Sequence, residues 1–411
     1  MREKKPGINH KYLSYFKDSY KECRREFLSR GKKLSKLYKY VKQNKYKIPC
    51  KNNDDLNVDL CLVSNKKKPA NHLVLITSGL HGIEGYAGSA LQNLLMDELI
   101  KNPELLKEND ILLVHALNPW GFKYNRRVSA NNVDINRNFH VNPDFFKIQN
   151  KIYGKINHLI NPSKKFSESI PTLIQFILIF LALIFRFSRK MLVQAVGEGQ
   201  YEHEKGIIFG GKDFEYQRKI MDDIHDKIIK KYNHVFVIDL HTGLGKKGKL
   251  QVFTAPGVHD KRIIKLAEKL FNPHVFEGGY NQFYKEKGSF IGYMHEKSGK
   301  TKTCIPLVFE FGTYGANRIS AIKSIRTIII ENQAFHIGLK NEKDRLRVQK
   351  SFKEMFYPSS ISWRMQVTRQ FHSSVLNLLN NINKGIIKNY YSKKPPKKWL
   401  CIFDFGFKRA S

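Results

Sequence analysis

An α/β domain on a mixed, mostly parallel sheet flanked by helices is the fold class this sequence predicts, and three observations predict it. Short apolar runs rich in β-branched residues alternate with longer stretches whose apolar positions recur three and four apart. Glycine-rich polar segments follow directly on several of those runs, as in sheets whose ligands sit beyond the carboxyl ends of the strands. A chain of 411 residues with 41% hydrophobic composition is also long enough to bury a large core.

In chain order, residues 10–45 place Leu13, Phe16, Tyr20, Phe27, Leu34, Leu37 and Val41 at helical spacing among Lys and Arg. This reads as one or two amphipathic helices broken near Gly31, and as a helical extension over 1–49. "LNVDLCLVS", "HLVLITS", "DILLVHALNP", "HVFVIDLHTG", "LQVFTAP" and "TCIPLVFEFGT" read as strands, the first by alternation and the second as a nearly continuous apolar run. "YAGSALQNLLMDELI", "KIMDDIHDKIIKKY" and "DKRIIKLAEKLF" read as the helices between them. A helical insertion at about 141–215 and a basic tail over 386–411 are expected beside this α/β pattern. Within the insertion, Leu173–Phe185 is apolar but includes Gln175, and its 13 residues are short of the roughly 18–20 that span a bilayer. A buried or lid-forming helix is the first expectation. Arg186, Arg189 and Lys190 behind it leave peripheral membrane contact through 170–190 as the second.

The formal charge of +36 comes from 72 Lys plus Arg against 36 Asp plus Glu, spread along the chain. It favours anionic partners at low salt, but no nucleic-acid module accompanies it and no specific nucleic acid is expected. Cys23, Cys50, Cys61, Cys304 and Cys401 are odd in number and scattered, which fits neither a disulfide framework nor a thiolate zinc cluster. No secretory pattern opens the sequence, so a cytoplasmic protein is expected. "GLGKKG", Gly243–Gly248, satisfies a dinucleotide-loop pattern, but the following "KLQVFTAP" reads as a strand rather than the helix such a loop must open.

The chemistry points to "SGLHGIEGYAGSA". His81 and Glu84 stand three apart directly after a strand, and Gly79, Gly82 and Gly85 permit the sharp turn that would bring both onto one ion. Catalytic zinc commonly takes three His or carboxylate ligands and keeps one position for water. His241 in "VFVIDLHTG", 157 residues beyond Glu84, offers the third ligand from another strand end. Asp239, two residues earlier, could support a ligand or the fold.

"HGIEG", "NNVDINRNF", "DLHTG" and "FEFGT", in that order, resemble the zinc metallocarboxypeptidase superfamily of carboxypeptidase A-like enzymes and acylase relatives. The fuller wording, including "HALNPWGFKYNRRVSANNVDINRNF" and "GQYEHEKGIIFGG", resembles an uncharacterised, largely bacterial branch of it over residues 50–385. The resemblance implies a zinc carboxypeptidase-like (phosphorylase/hydrolase-like) fold and one zinc per chain held by His81, Glu84 and His241. It implies Glu310 as general base toward water, and Asn136 with Arg137 as the pair that binds a substrate carboxylate. Arg127 is the better match for the arginine that stabilises the oxyanion, with Arg126 beside it as the other candidate. For the tyrosine that caps substrate, Tyr293 is favoured over Tyr280 and Tyr284. Tyr201 and His203 in the insertion could reach the site, although packing roles suit them better. The implied reaction is hydrolysis of an amide bond in a peptide or an N-acyl amino acid; the rival is a non-catalytic, basic membrane-surface protein on the same fold.

Overall fold

The computed structural model describes residues 10–50, 54–254, 261–271, 286–299 and 303–386, with the backbone alone at His10 and 261–264. The first half comprises α1 (His10–Leu13), α2 (Tyr20–Leu37), β1 (Tyr40–Lys47), β2 (Asn57–Ser64), β3 (His72–Ser78), α3 (Gly85–Lys101), β4 (Asn109–His115) and α4 (Pro119–Lys123). The insertion supplies α5 (Lys151–Ile160), α6 (Ile170–Arg186) and α7 (Arg189–Glu198). There follow α8 (Tyr216–Lys227), β5 (His234–Gly243), β6 (Leu250–Thr254), α9 (Lys261–Phe271), α10 (Phe290–Ser298), β7 (Thr303–Gly312), α11 (Arg318–His336), α12 (Glu342–Phe356) and α13 (Ile361–Asn383).

The seven strands form one sheet in the order β1-β2-β4-β3-β5-β7-β6. The central four, β4, β3, β5 and β7, run parallel, while β2 and β6 run against them. β3 and β4 are buried at every position, which is why their sequences read as continuous apolar runs. The expected mixed, mostly parallel sheet flanked by helices is the observed fold. β6 follows the "GLGKKG" loop, so no helix opens there.

Two expectations for the N-terminal segment change. α2 runs unbroken through Gly31, and residues 40–47 are a strand rather than helix. Ser19 caps α2 by accepting from the Glu22 N–H, and Tyr20, Cys23, Phe27, Gly31 and Leu34 face the core. A Cβ at Gly31 would stand 2.4 Å from Oε1 of the exposed Gln43 side chain, which lies across the glycine from β1. β1 is a Lys-rich, largely exposed edge strand, and the charges that hide its strand character also discourage pairing with another chain.

The insertion is helical, as expected, but α6 is not buried: Leu183 is its single buried residue among the described ones. Its inner side chains Phe176, Ile179 and Leu183 pack with Tyr153, Ile156 and Ile329 in a second hydrophobic cluster. Its other face does not pack against the core of the described residues, and Phe185 is 96% exposed. No single described helix is long and apolar enough to cross a membrane, although α6 and α7 together pass that test as a pair bent by 109°.

His115, at the end of β4, is fully buried, stacks on Phe27 at 4.6 Å and lies 3.0 Å from Ser89 Oγ. Burial, reinforced by the Arg24 charge, pushes its pKa down to about 3. Unfolded, the ring takes a proton near its ordinary value of about 6.5, so the unfolded state binds more protons between these values. The stability from a neutral His115 is therefore complete above about pH 6.5 and is lost progressively as pH falls. Denaturant midpoints measured from about pH 7 down to about pH 5 should fall for the wild type and fall less steeply for His115→Gln. Equal slopes would show that His115 does not contribute.

Candidate metal centre

The loop that follows β3 is shaped by close approach of backbone to backbone. Gly79 takes a φ of +66° at the turn, a region disfavoured for other residues. Beyond it, the Gly82 N–H donates to the Arg127 carbonyl (3.1 Å) and the Ile83 N–H to the Arg126 carbonyl (2.9 Å). A Cβ at Gly82 would stand 2.1 Å from the Gly121 carbonyl carbon, so any side chain there pushes the loop off its support. His81 then stands extended, Glu84 ends a 3-10 turn over Gly82–Glu84, and α3 begins at once. Because β3 and β5 pair in parallel with Ser78 opposite Leu240, His241 emerges from β5 beside this loop.

His81, Glu84 and His241 converge. One ligand-type atom from each lies within 4.8 Å of the other two, and all three residues are buried. His81 Nδ1 lies 2.8 Å from Glu84 Oε1, and His241 Nδ1 lies 3.0 Å from Glu84 Oε2 and 3.2 Å from His81 Nδ1. The Thr242 N–H also donates to Glu84 Oε2 at 2.9 Å. Two imidazole nitrogens aimed at one carboxylate make a donor set that fits a small divalent cation and suits zinc.

Each imidazole turns its other nitrogen to a buried carboxylate. His241 Nε2 lies 2.6 Å from Asp239 Oδ2, whose other oxygen accepts from Thr77 Oγ1 at 2.5 Å. His81 Nε2 lies 3.2 Å from Asp134 Oδ1, while Asp134 Oδ2 accepts from Arg127 Nη1. Asp239 can hold the Nε2–H of His241 so that its Nδ1 offers a lone pair inward, whereas at His81 both Asp134 and the Arg127 guanidinium face Nε2. Burial alone would raise the Glu84 carboxyl, but the charges of His81 and His241 and their hydrogen bonds outweigh it and hold the pKa at about 2. Burial would likewise lower His241, yet Asp239 and Glu84 raise it well above its ordinary value. Asp134 is held well below the usual carboxylate range, because Arg127 and then His81 overcome the effect of its burial.

Asp134 was not singled out in the sequence, although it stands inside "NNVDINRNF". Asp239 was left open, and its i, i+2 spacing from His241 on one strand face is the signal that places it.

Glu310 pairs in register with His241 across β5 and β7, so both side chains project from the same sheet face. The Leu244 N–H donates to Glu310 Oε1 at 2.9 Å. Arg127 Nη2 lies 2.7 Å from His81 Nε2, whereas Arg126 is drawn away to Glu331 (Nε to Oε1 2.7 Å) and the Phe335 ring. The two arginines are thus separated: Arg127 borders the His81 side of the triad and Arg126 anchors α11.

Arg137 is in place but engaged. Its Nε and Nη2 donate to the Gly197 carbonyl at the end of α7 (3.1 and 2.8 Å) and Nη1 to the Asn136 carbonyl (2.7 Å). Glu286, which sequence reading did not single out, pairs with its Nη1 at 3.4 Å, and both side chains are almost fully buried. Asn136 Oδ1 accepts from the Phe290 N–H at 3.0 Å. Tyr293 does not have the disposition expected of a cap. It is buried beside Phe139, and its hydroxyl donates to Asp222 Oδ1 at 2.8 Å, because α10 turns it into the core. Tyr280 and Tyr284 lie outside the described residues. Tyr201 packs against Phe145 with its hydroxyl donating to the Arg137 carbonyl, and His203 stacks on Tyr153, so both serve packing.

A family model described as "Protein of unknown function (DUF2817)" matches residues 16–370. No curated protein matches the chain at a significant level. Among solved structures, the chain is similar to bovine thrombin-activatable fibrinolysis inhibitor in complex with tick carboxypeptidase inhibitor (17% identity, 79% of this chain and 98% of that one, TM-score 0.46). It is similar to carboxypeptidase A from Helicoverpa armigera (13% identity, 83% and 74%, TM-score 0.43). A succinylglutamate desuccinylase from Silicibacter is a third likeness (16% identity, 74% and 68%, TM-score 0.34). At these identities and TM-scores the likenesses carry neither substrate nor activity to this chain.

If the two aspartates orient the imidazoles, Asp134→Asn and Asp239→Asn should each weaken zinc binding about 10- to 100-fold in chelator competition, with the fold retained by circular dichroism. Unchanged affinity in both variants would assign the carboxylates to the fold alone.

Proposed function

The chain belongs to the DUF2817 family of proteins of unknown function, and from that premise we propose that it is a zinc-dependent hydrolase cleaving an amide bond of a carboxylate-bearing substrate. The observation that carries this reading is the buried His81/Glu84/His241 group, with a carboxylate behind each imidazole and Glu310 opposite His241. A pure binding protein has no physical need for that second acidic group beside a metal site. Zinc held there would supply Lewis-acid polarisation and a water whose pKa is brought toward neutrality.

The chain's own groups have separable roles. Glu310, with one oxygen fixed by the Leu244 N–H, accepts a proton from the attacking water and returns it to the leaving amine. Arg127, bordering His81 and braced by Asp134, stabilises the negative oxygen that develops at the scissile carbonyl. Asn136 and Arg137 select a free carboxylate, for which a planar guanidinium fork is well shaped. The substrate is then the C-terminal residue of a peptide or an N-acyl amino acid. Glu286 and the Gly197 carbonyl engage the guanidinium, so an incoming carboxylate must displace them.

Both roles can be read on one panel of peptides and N-acyl amino acids, each with a free or an amidated carboxylate. Glu310→Gln should keep its metal and lose about 10²- to 10⁴-fold in turnover; wild-type turnover in that variant would remove Glu310 as the base. Glu286→Gln should lower KM for free-carboxylate substrates and leave the amidated ones unchanged. An equal effect on both classes would remove Arg137 from substrate selection.

A further inference from the structure

We propose that α6 is a docking helix that lies on an anionic membrane surface. Up to Arg186 the helix is apolar around most of its circumference, interrupted only by Thr172 and Gln175, a pattern that suits either burial in protein or contact with lipid. Its inner side is accounted for by Phe176, Ile179 and Leu183 in the second hydrophobic cluster. The outward stripe is not: Leu173, Ile174, Ile177, Leu178, Leu181 and Phe185 recur at helical spacing, and each is 42% exposed or more. Such a contiguous apolar strip exceeds the scattered apolar residues of an ordinary surface and marks an interaction site.

Length and charge identify the occupant. At 17 residues α6 is about 25 Å long, too short to cross the hydrocarbon core, and the chain turns by 109° into α7 at its end. A helix of this kind lies in the interface with its apolar face sunk into the acyl boundary. The flanks are basic and exposed, with Lys164 and Lys165 before the helix and Arg186, Arg189 and Lys190 after it. Such side chains reach from an apolar contact to lipid phosphates and carboxylates. A second copy of the chain is the poorer occupant, because it would bring two molecules of formal charge +36 together. An anionic bilayer complements that charge instead. The chain leads from α6 into α7, which starts at Arg189 and carries the Gly197 carbonyl that accepts from Arg137. The proposal itself does not depend on the metal or on the proposed reaction.

The test uses the full chain with vesicles of phosphatidylcholine alone and of phosphatidylcholine with phosphatidylserine, sedimented across a salt series. The wild type should favour the anionic vesicles, and a fraction should stay bound at high salt because apolar burial is not screened. Leu178→Asp with Leu181→Asp should reduce that salt-resistant binding at least about tenfold. These side chains point outward, so circular dichroism and thermal midpoint should be unchanged; a second pair, Ile174→Asp with Ile177→Asp, replaces the first if they are not. Arg189→Glu with Lys190→Glu should reduce the preference for anionic over neutral vesicles. Binding abolished by salt and indifferent to the Asp substitutions would overturn the proposal in favour of diffuse Lys attraction. A stable dimer in sedimentation equilibrium, dissolved by the Asp substitutions, would overturn it in favour of a second copy.

Discussion

The parallel pairing of β3 with β5, in register from His72 opposite His234 to Ser78 opposite Leu240, fixes where chemistry can occur in this molecule. Both strands are buried and cannot slip by one residue without turning their side chains to the wrong face. Their carboxyl ends therefore stop side by side, and the loop leaving β3 and the last residues of β5 must share one volume. β7 continues the arrangement on the far side of β5, which brings Glu310 opposite His241. Gly79 and Gly82 complete it by letting the loop fold back against the 121–127 segment. The three strand ends come from segments far apart in sequence, and the sheet brings them side by side.

That volume holds several ionisable groups out of water, which is costly unless every charge has a partner. The partners form a chain: Arg127 to Asp134, Asp134 to His81, His81 to Glu84, Glu84 to His241, and His241 to Asp239. Thr77 and the Thr242 N–H close off remaining acceptor positions. Such a network specifies one arrangement of rings and carboxylates rather than several, because a half-satisfied version is worse than none. The Arg137 guanidinium follows the same rule, satisfied by the Gly197 carbonyl of the insertion, the Asn136 carbonyl and Glu286.

The parts of this arrangement legible in the sequence were those governed by local pattern. Strand ends are marked by apolar runs meeting glycine and polar residues, so His81, Glu84 and His241 could be placed before any contact was known, while Glu310 rested on the resemblance to carboxypeptidase A-like enzymes. What escaped depended on tertiary partners. Gly31 reads as a helix break until Gln43 is found against it, and β1 reads as helix because its exposure to solvent removes the apolar alternation. An apolar run such as α6 predicts burial, whereas its outward side stays exposed among the described residues. Tyr293 had the right side chain in the right interval, yet the rotation of α10 points it at Asp222. Glu286 carries no motif, and only its distance to Arg137 reveals it.

The central claim is that His81, Glu84 and His241 share one metal ion, and elemental mass spectrometry on protein purified without chelator tests it most directly. The account predicts about one zinc per wild-type chain and its loss in His81→Ala, with both proteins folded. A wild-type chain that remains metal-free after zinc is supplied, or a His81→Ala variant that keeps its zinc, would contradict it.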